Sequence, residues 1–74
     1  MDYGDTYLDL NHKEKSFVQK MVYSEYLETL QVIYYNDPDS TVTVTEMLAY
    51  DLKMAKEDED YEKCQLYTDV LKNI

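Results

Sequence analysis

The sequence predicts an all-α fold in which one long helix is followed by a short antiparallel helical hairpin. Apolar residues recur at helical spacing over three separate segments. Capping signals precede the first two segments, and the chain contains only one glycine and one proline. We therefore expect three helices in a single small domain spanning residues 1–74, with an extended arm at residues 1–10 and an extended connector at residues 41–45.

The first helix is predicted from about His12 to Tyr35. Asn11 and Glu14 have the spacing of a capping box, in which the Asn side chain accepts from a first-turn amide and the Glu side chain accepts from the cap amide. A broad apolar stripe follows, made of Val18, Val22, Tyr26, Leu30 and Ile33. The stripe is widened on one side by Tyr23, Leu27 and Tyr34. An arc this wide predicts contacts with two neighbouring elements.

Two segments lie outside the predicted helices. Residues 1–10 show no helical periodicity, so they either pack across the domain or stay mobile until a partner binds. After the first helix, Pro38 disfavours helix both at its own position and at the residue before it. Residues 41–45 alternate threonine and valine, which suits a short strand or an extended connector. We favour the connector because a lone strand has no pairing partner in this chain; a strand would offer a free edge for docking.

Two shorter helices are predicted to form the C-terminal hairpin. Thr43 and Glu46 give a second capping box, which opens a helix over residues 45–57. Its apolar stripe contains Leu48, Leu52 and Ala55. The last helix is expected over residues 61–73, and its apolar side carries Cys64, Tyr67, Val70, Leu71 and Ile74. The short acidic link at residues 57–60 makes the two helices antiparallel. We expect it to be a solvated turn, because it lacks the alternating ligands and central glycine of a calcium loop.

Length and charge limit the functional classes. A chain of 74 residues buries only about 60% of its unfolded surface, and its single cysteine cannot form an internal disulfide. Both facts favour association with a partner. The net charge is −9, and all the basic residues are lysines. This charge disfavours direct binding to nucleic acid or to anionic membranes, and it favours a protein partner with a basic surface. The alternative is that the charge serves solubility alone.

The expected location is the cytoplasm. The first residues are acidic and do not have the pattern of a signal peptide, and no stretch is apolar for long enough to span a membrane. A free cysteine fits a reducing compartment. The nine tyrosines are consistent either with use at an interface or with an AT-rich genome. Small phage proteins have similar compositions, and a phage-encoded chain would act in the host cytoplasm.

The predicted hairpin carries a recognisable pattern over residues 48–74. A large apolar residue and a small one precede an acidic-aromatic-Glu-Lys step, and small, apolar and acidic positions follow. The residues in this pattern are Leu52, Ala55, Asp60, Tyr61, Glu62, Lys63, Cys64, Tyr67, Asp69, Leu71 and Ile74. The pattern resembles the UVR-type helical hairpin of UvrB and UvrC, although Thr68 stands where that family has arginine. The resemblance implies a protein-binding hairpin that often pairs with a like hairpin on another chain, and it implies no repair activity.

Catalytic and metal sites are not expected. His12 is the only histidine and has no nucleophile close to it in the sequence, so we predict a surface residue. Cys64 lies on the predicted inner side of the last helix, where a thiol is inert, so we predict a core residue. Gly4 is the only glycine, which excludes a glycine-rich phosphate loop. We therefore predict a protein that is not an enzyme and that binds neither a cofactor nor a metal.

The predicted function is that of a small adapter or regulatory protein that acts through helix-mediated protein–protein contacts. Tyrosine combines a large apolar ring with a polar tip, so it suits interfaces. The residues predicted to bind the partner are Tyr61, Tyr67, Leu71 and Ile74 in the hairpin and Tyr23, Tyr26 and Tyr34 on the long helix. One alternative is a nucleic-acid mimic that blocks a basic site on a DNA- or RNA-handling protein. Another is a homodimer formed by paired hairpins.

Overall fold

Three helices and one short turn make up the described part of the chain. The computed structural model describes residues 7–74 and contains a 3₁₀ turn at Tyr7–Asp9, followed by α1 (His12–Asn36), α2 (Val44–Glu57) and α3 (Tyr61–Lys72). No strand occurs within residues 7–74. The predicted all-α fold, with a long helix before two shorter helices that pack together, is confirmed.

Capping residues set the starts of the first two helices. At α1, the Asn11 side chain accepts a hydrogen bond from the Glu14 amide at 2.8 Å, and the Glu14 carboxylate accepts one from the Asn11 amide at 3.1 Å. The predicted capping box is therefore confirmed. At α2, Thr43 Oγ1 accepts from the Glu46 amide at 3.2 Å, which forms one half of the second predicted box. Because Thr43 is the cap, α2 begins at Val44 rather than at residue 45.

An extended connector joins α1 to α2. A turn at residues 37–40 follows α1, with a hydrogen bond of 3.0 Å from the Ser40 amide to the Asp37 carbonyl. Residues 41–43 are neither helix nor strand, so the connector is confirmed and the strand is excluded. The connector is shorter than predicted because α2 already includes residues 44 and 45. The Tyr34 hydroxyl donates to the Val42 carbonyl and holds the connector against α1.

A Schellman motif forms the turn between α2 and α3. The Asp60 amide donates to the Ala55 carbonyl at 2.9 Å, and the Glu59 amide donates to the Lys56 carbonyl at 3.2 Å. Glu59 has a φ of 56°, a left-handed conformation that glycine adopts more readily. Residues 57–59 are exposed, which fits the predicted solvated turn. Across residues 7–74, no group of three or more His, Cys, Asp or Glu side chains is arranged to hold a metal ion.

The core lies between the three helices and the 3₁₀ turn. The buried hydrophobic side chains are Tyr7, Val22, Val44, Leu48, Ala55, Leu66 and Val70. α1 contributes only Val22 to this set. The other residues of its predicted stripe are half-buried, except that Leu27 and Tyr34 on the widened side are exposed. In α2, Leu48 and Ala55 are buried as predicted, whereas Leu52 is only half-buried and Val44 at the helix start is buried as well.

α3 is rotated relative to the sequence prediction. The predicted inner side consisted of Cys64, Tyr67, Val70, Leu71 and Ile74. The two buried residues of α3 are Leu66 and Val70, of which only Val70 was predicted. Cys64 is half-buried and lies outside the core cluster, so the core position predicted for it was wrong. Ile74 is 53% exposed. Tyr67 and Leu71 pack against the core as predicted, so the observed inner face is shifted towards Leu66 by roughly 35° at about 100° per residue.

Tyr7 of the 3₁₀ turn packs in the same core as the buried residues of α3 and bonds to this helix. The Tyr7 side chain is fully buried, and its hydroxyl donates to Asp69 Oδ2 at 2.6 Å and accepts from Gln19 Nε2 at 2.8 Å. Gln65 Nε2 donates to the other Asp69 carboxylate oxygen at 2.8 Å. Asp69 therefore faces the 3₁₀ turn. The end of the predicted arm packs across the domain, and residues 1–6 lie outside the described part of the chain.

Removing the Tyr7 hydroxyl should destabilise the fold. Tyr7→Phe deletes two hydrogen bonds and leaves Asp69 with fewer donors, so we expect the free energy of unfolding to fall by about 1–3 kcal/mol at pH 7. Urea denaturation followed by circular dichroism measures this change. The matched control is Tyr35→Phe, because Tyr35 is 88% exposed and its substitution should change stability by less than about 0.5 kcal/mol.

The same variant should show a distinctive pH dependence. Burial, followed by the hydrogen bond to Asp69, raises the pKa of the Tyr7 hydroxyl to about 12 from its ordinary value of 10.0. A group whose pKa is raised by folding contributes its full stabilisation of the folded state at any pH below its pKa in the unfolded state. That contribution is lost as the pH rises through the pKa of the group in the folded state. The stability difference between wild type and Tyr7→Phe should therefore shrink between about pH 10 and 12. A difference that stays constant over this window would contradict the assignment.

The left-handed residue of the hairpin turn gives a second stability test. Glu59→Gly relieves the steric cost of a positive φ, so we expect it to raise the free energy of unfolding by about 0.5–1 kcal/mol. Asp58→Gly is the matched control, because Asp58 has right-handed helical angles and gains nothing from glycine. The control should lower stability by about 0.5–1 kcal/mol. Equal effects of the two substitutions would argue against the Schellman turn.

Candidate functional site: two grooves beside α1

Two grooves border α1. The tyrosine groove lies mainly between α1 and α2 and has a volume of about 570 Å³. Its lining residues are Val22, Glu25, Tyr26, Thr29, Ile33, Glu46, Met47, Tyr50, Asp51 and Tyr67. The lysine groove lies between the first half of α1 and the end of α3 and has a volume of about 780 Å³. Its lining residues are His12, Lys15, Ser16, Gln19, Lys20, Tyr23, Ser24, Leu27, Asp69, Val70, Lys72, Asn73 and Ile74.

The tyrosine groove has an apolar lining drawn from all three helices. Val22 and Ile33 come from α1, Met47 comes from α2, and the ring of Tyr67 comes from α3. Val22 is buried and the other three are half-buried. Tyr50 also lines the groove and is 64% exposed, so its ring is available to a ligand. The groove thus offers apolar and aromatic surface at moderate depth.

A tyrosine–carboxylate hydrogen bond joins the two walls of this groove. The Tyr26 hydroxyl on α1 donates to Asp51 Oδ2 on α2. Burial raises the pKa of the Tyr26 hydroxyl well above its ordinary value, and the hydrogen bond to the Asp51 carboxylate raises it further. Tyr26 therefore stays protonated and keeps its role as a donor across the neutral pH range.

The charged residues of the tyrosine groove are all acidic. They are Glu25 from α1 and Glu46 and Asp51 from α2. Carboxylates beside apolar surface attract cationic groups, and the low-dielectric wall strengthens that attraction relative to open water. The groove therefore combines apolar contact with a negative potential.

The lysine groove has the opposite character. Lys15, Lys20 and Lys72 line it together with His12, and Asp69 is its one acidic residue. Lys15 Nζ also lies 5.6 Å from the centroid of the Tyr7 ring, close enough for a cation–π contact. The lining therefore concentrates cationic side chains beside the inward-facing Asp69, in a chain whose net charge is −9.

The structure divides the predicted partner-binding residues among several places. Tyr26 and Tyr67 meet in the tyrosine groove, whereas Tyr23 and Ile74 line the lysine groove. The other predicted residues are Leu71, which packs against the core, Tyr34, which bonds the connector, and Tyr61, which is 73% exposed at the start of α3. The set does not form one continuous surface, and each groove contains two of its members.

Sequence reasoning missed the contribution of α2 to this groove. Met47, Tyr50 and Asp51 line it, and none of them was predicted to bind a partner. Their spacing of three and four residues places them on one side of α2, next to the core residue Leu48. That helical spacing was the signal for the groove in the sequence. Only the apolar stripe of Leu48, Leu52 and Ala55 was assigned to a face of this helix.

The two residues considered for catalysis lie apart from the tyrosine groove. His12 is exposed in the first turn of α1 and lines the lysine groove. Cys64 is half-buried in α3, and its backbone carbonyl accepts a hydrogen bond of 2.7 Å from the Thr68 hydroxyl. Neither residue is among those that line the tyrosine groove.

Comparison with known proteins gives no relative. No family model, no curated protein and no solved structure matches the chain. The resemblance of residues 48–74 to the UVR-type hairpin accordingly stays a prediction. Among the described helices, none is both long enough and apolar enough to span a membrane.

A double-mutant cycle tests the hydrogen bond between the groove walls. Tyr26→Phe and Asp51→Asn should each lower the free energy of unfolding by about 1–2 kcal/mol, and the double variant should lose less than the sum because both act on one bond. Urea denaturation of the four proteins gives a coupling energy, which we expect to be about 0.5–1.5 kcal/mol. Fully additive losses would show that the two side chains do not interact in solution.

Proposed function

We propose that the protein is a small protein-binding module whose tyrosine groove accepts a cationic amphipathic segment of a partner protein. The observation that carries this proposal is the composition of the groove: apolar and aromatic residues line it, and every charged residue in it is a carboxylate. The module acts as an adapter or regulator, and catalysis has no part in the proposed role.

The apolar part of the groove suits a short helical ligand. Helix-in-groove recognition places side chains spaced at three and four residues into a shallow apolar channel. Met47 has a flexible, polarisable side chain that adapts to the shape of a ligand. Tyrosine side chains often contribute much of the binding energy at protein interfaces, and Tyr50 and Tyr67 line this groove. A groove of about 570 Å³ holds a few side chains, which matches one or two turns of a helix.

The charge of the groove selects a basic ligand. Glu46 and Asp51 provide carboxylates beside the apolar contact, and the net charge of −9 extends the attraction beyond the groove. Such complementarity raises association rates and disfavours acidic competitors. Lysines or arginines flanking the apolar residues of the ligand are therefore expected.

The predicted docking surface was either the apolar seam of the hairpin, which includes Tyr67 and Leu71, or the tyrosine-rich face of the long helix, and the proposed surface is the groove between α1 and α2. The seam residue Leu71 packs against the core, and Tyr67 turns its ring into the tyrosine groove. The proposal keeps the protein-binding role that the UVR-like resemblance implies. In this proposal the ligand contacts α2 and not the apolar seam of the hairpin. A substitution of the exposed Tyr61 distinguishes docking at the hairpin from docking in the tyrosine groove, because Tyr61 belongs to the hairpin pattern and does not line the groove.

A designed peptide tests the proposal without knowledge of the natural partner. The probe is a fluorescein-labelled helical peptide with leucines at positions i, i+3, i+4 and i+7 and lysines elsewhere. A second peptide has the same composition in scrambled order, and a third replaces every lysine with glutamate. We expect fluorescence anisotropy to show binding of the first peptide alone, weakening at least severalfold between about 50 and 200 mM NaCl because charge attraction is screened. If the scrambled peptide binds equally well, non-specific charge attraction alone explains the binding, and the proposal is overturned.

Matched variants locate the binding surface. Tyr50→Ala should weaken binding of the leucine–lysine peptide by about tenfold, since it removes an accessible ring from the groove. Tyr61→Ala removes a similarly exposed ring outside the groove and should leave the affinity unchanged. Thermal denaturation checks that both variants fold. Loss of binding in Tyr61→Ala but not in Tyr50→Ala would return the docking site to the hairpin.

A further inference from the structure

The outward face of α1 carries large apolar side chains that the fold leaves exposed. Phe17 is 64% exposed, Met21 44%, Val32 60% and Tyr35 88%. At the pitch of an α-helix these four lie within an arc of roughly 60°, opposite the face that Tyr26 presents to the core. They are separate from both grooves, since none of them lines either one. We call these four residues the outer stripe.

The outer stripe is nearly symmetric about the middle of α1. Phe17 and Tyr35 lie at equal sequence distances from Tyr26, and Met21 and Val32 lie at almost equal distances. Symmetry of this kind is what a two-fold interface requires, because the same patch must be complementary to itself when one copy is reversed. We propose that α1 packs antiparallel against α1 of a second copy of this chain, with Phe17 beside Tyr35 of the second copy and Met21 beside Val32 of the second copy.

The polar middle of the stripe selects the antiparallel arrangement. Ser24 and Glu28 lie between the two apolar pairs on the same side of α1. In the antiparallel register, Glu28 of one copy lies beside Ser24 of the other. A parallel arrangement would bring the two copies of Glu28 together, and like charges in contact are destabilising.

The size and charge of this surface predict a weak dimer. From Phe17 to Tyr35 the stripe extends for roughly 27 Å, at about 1.5 Å per residue. One pair of helices of that length buries on the order of 1,000 Å², at the low end for specific interfaces, so the dimer should be transient. Each copy carries a net charge of −9, and repulsion between copies opposes association. Added salt screens this repulsion, so dimerisation should strengthen with salt, whereas peptide binding in the tyrosine groove should weaken.

Sedimentation equilibrium tests the dimer. Wild-type protein between about 10 and 500 μM should show a concentration-dependent monomer–dimer equilibrium that tightens severalfold from about 50 to 500 mM NaCl. Val32→Glu should weaken association at least tenfold, because it places a carboxylate in the apolar pair. Tyr61→Glu is the matched control: Tyr61 is 73% exposed on α3, and this variant should dimerise as wild type does. A strict monomer at all concentrations, or a dimer insensitive to Val32→Glu, would overturn the proposal.

Disulfide trapping tests the register. In a Cys64→Ser background, Ser24→Cys and Glu28→Cys place thiols at positions that face each other only in the antiparallel pair. A mixture of the two proteins should form the crossed 24–28 disulfide at least severalfold faster than either protein alone forms its own dimer. Preferential 24–24 and 28–28 products would exclude the antiparallel register. The two proposals also fail separately, because Val32→Glu should leave peptide binding intact and Tyr50→Ala should leave the dimer intact.

Discussion

The buried side chain of Tyr7 joins the 3₁₀ turn to the three-helix core, and its hydroxyl links α1 to α3 through Gln19 and Asp69. With Asp69 held against the 3₁₀ turn, Leu66 and Val70 point into the core. The ring of Tyr67 then falls on the side that faces α1 and α2, where it lines the tyrosine groove. The polar contact of Tyr7 and the packing of Leu66 and Val70 thus lie on the same helix that supplies Tyr67 to the candidate binding site.

The parts of the structure that could be predicted are those fixed by local chemistry. Asn11 with Glu14 and Thr43 with Glu46 placed the starts of α1 and α2 to within one residue, because capping depends on neighbouring residues alone. The contact between Tyr7 and α3 could not be predicted in the same way. Tyr7 and Asp69 are 62 residues apart in the sequence, and apolar periodicity gives no signal for an aspartate that accepts from a buried tyrosine.

The candidate site was only partly visible in the sequence for a related reason. A groove between helices is lined by residues at the margins of two stripes, and apolar periodicity identifies the centres of stripes. Tyr26 and Tyr67 were recognised because they are aromatic, whereas Glu46 was identified only as a capping residue and Asp51 carried only the helical spacing that it shares with Met47 and Tyr50. The structure also changes the interpretation of the net charge. Because the lysine groove gathers cationic side chains, the surface is less uniformly negative than a nucleic-acid mimic requires, and some of the carboxylates lie where apolar contact is also available.

The exposed apolar surface of α1 follows from a mismatch of helix lengths. α1 has 25 residues, whereas α2 and α3 have 14 and 12. At about 1.5 Å per residue, neither shorter helix can follow α1 along its whole length, and together they cover only one side of it. Val22 is accordingly the one residue of α1 that is buried, although apolar residues occur around most of its circumference. A helix that packs only against the core of a small domain requires apolar residues on its inward face and not on its outward face. Phe17 and Tyr35 lie outside the groove proposed to bind a ligand, and the proposed pairing with a second copy would cover them.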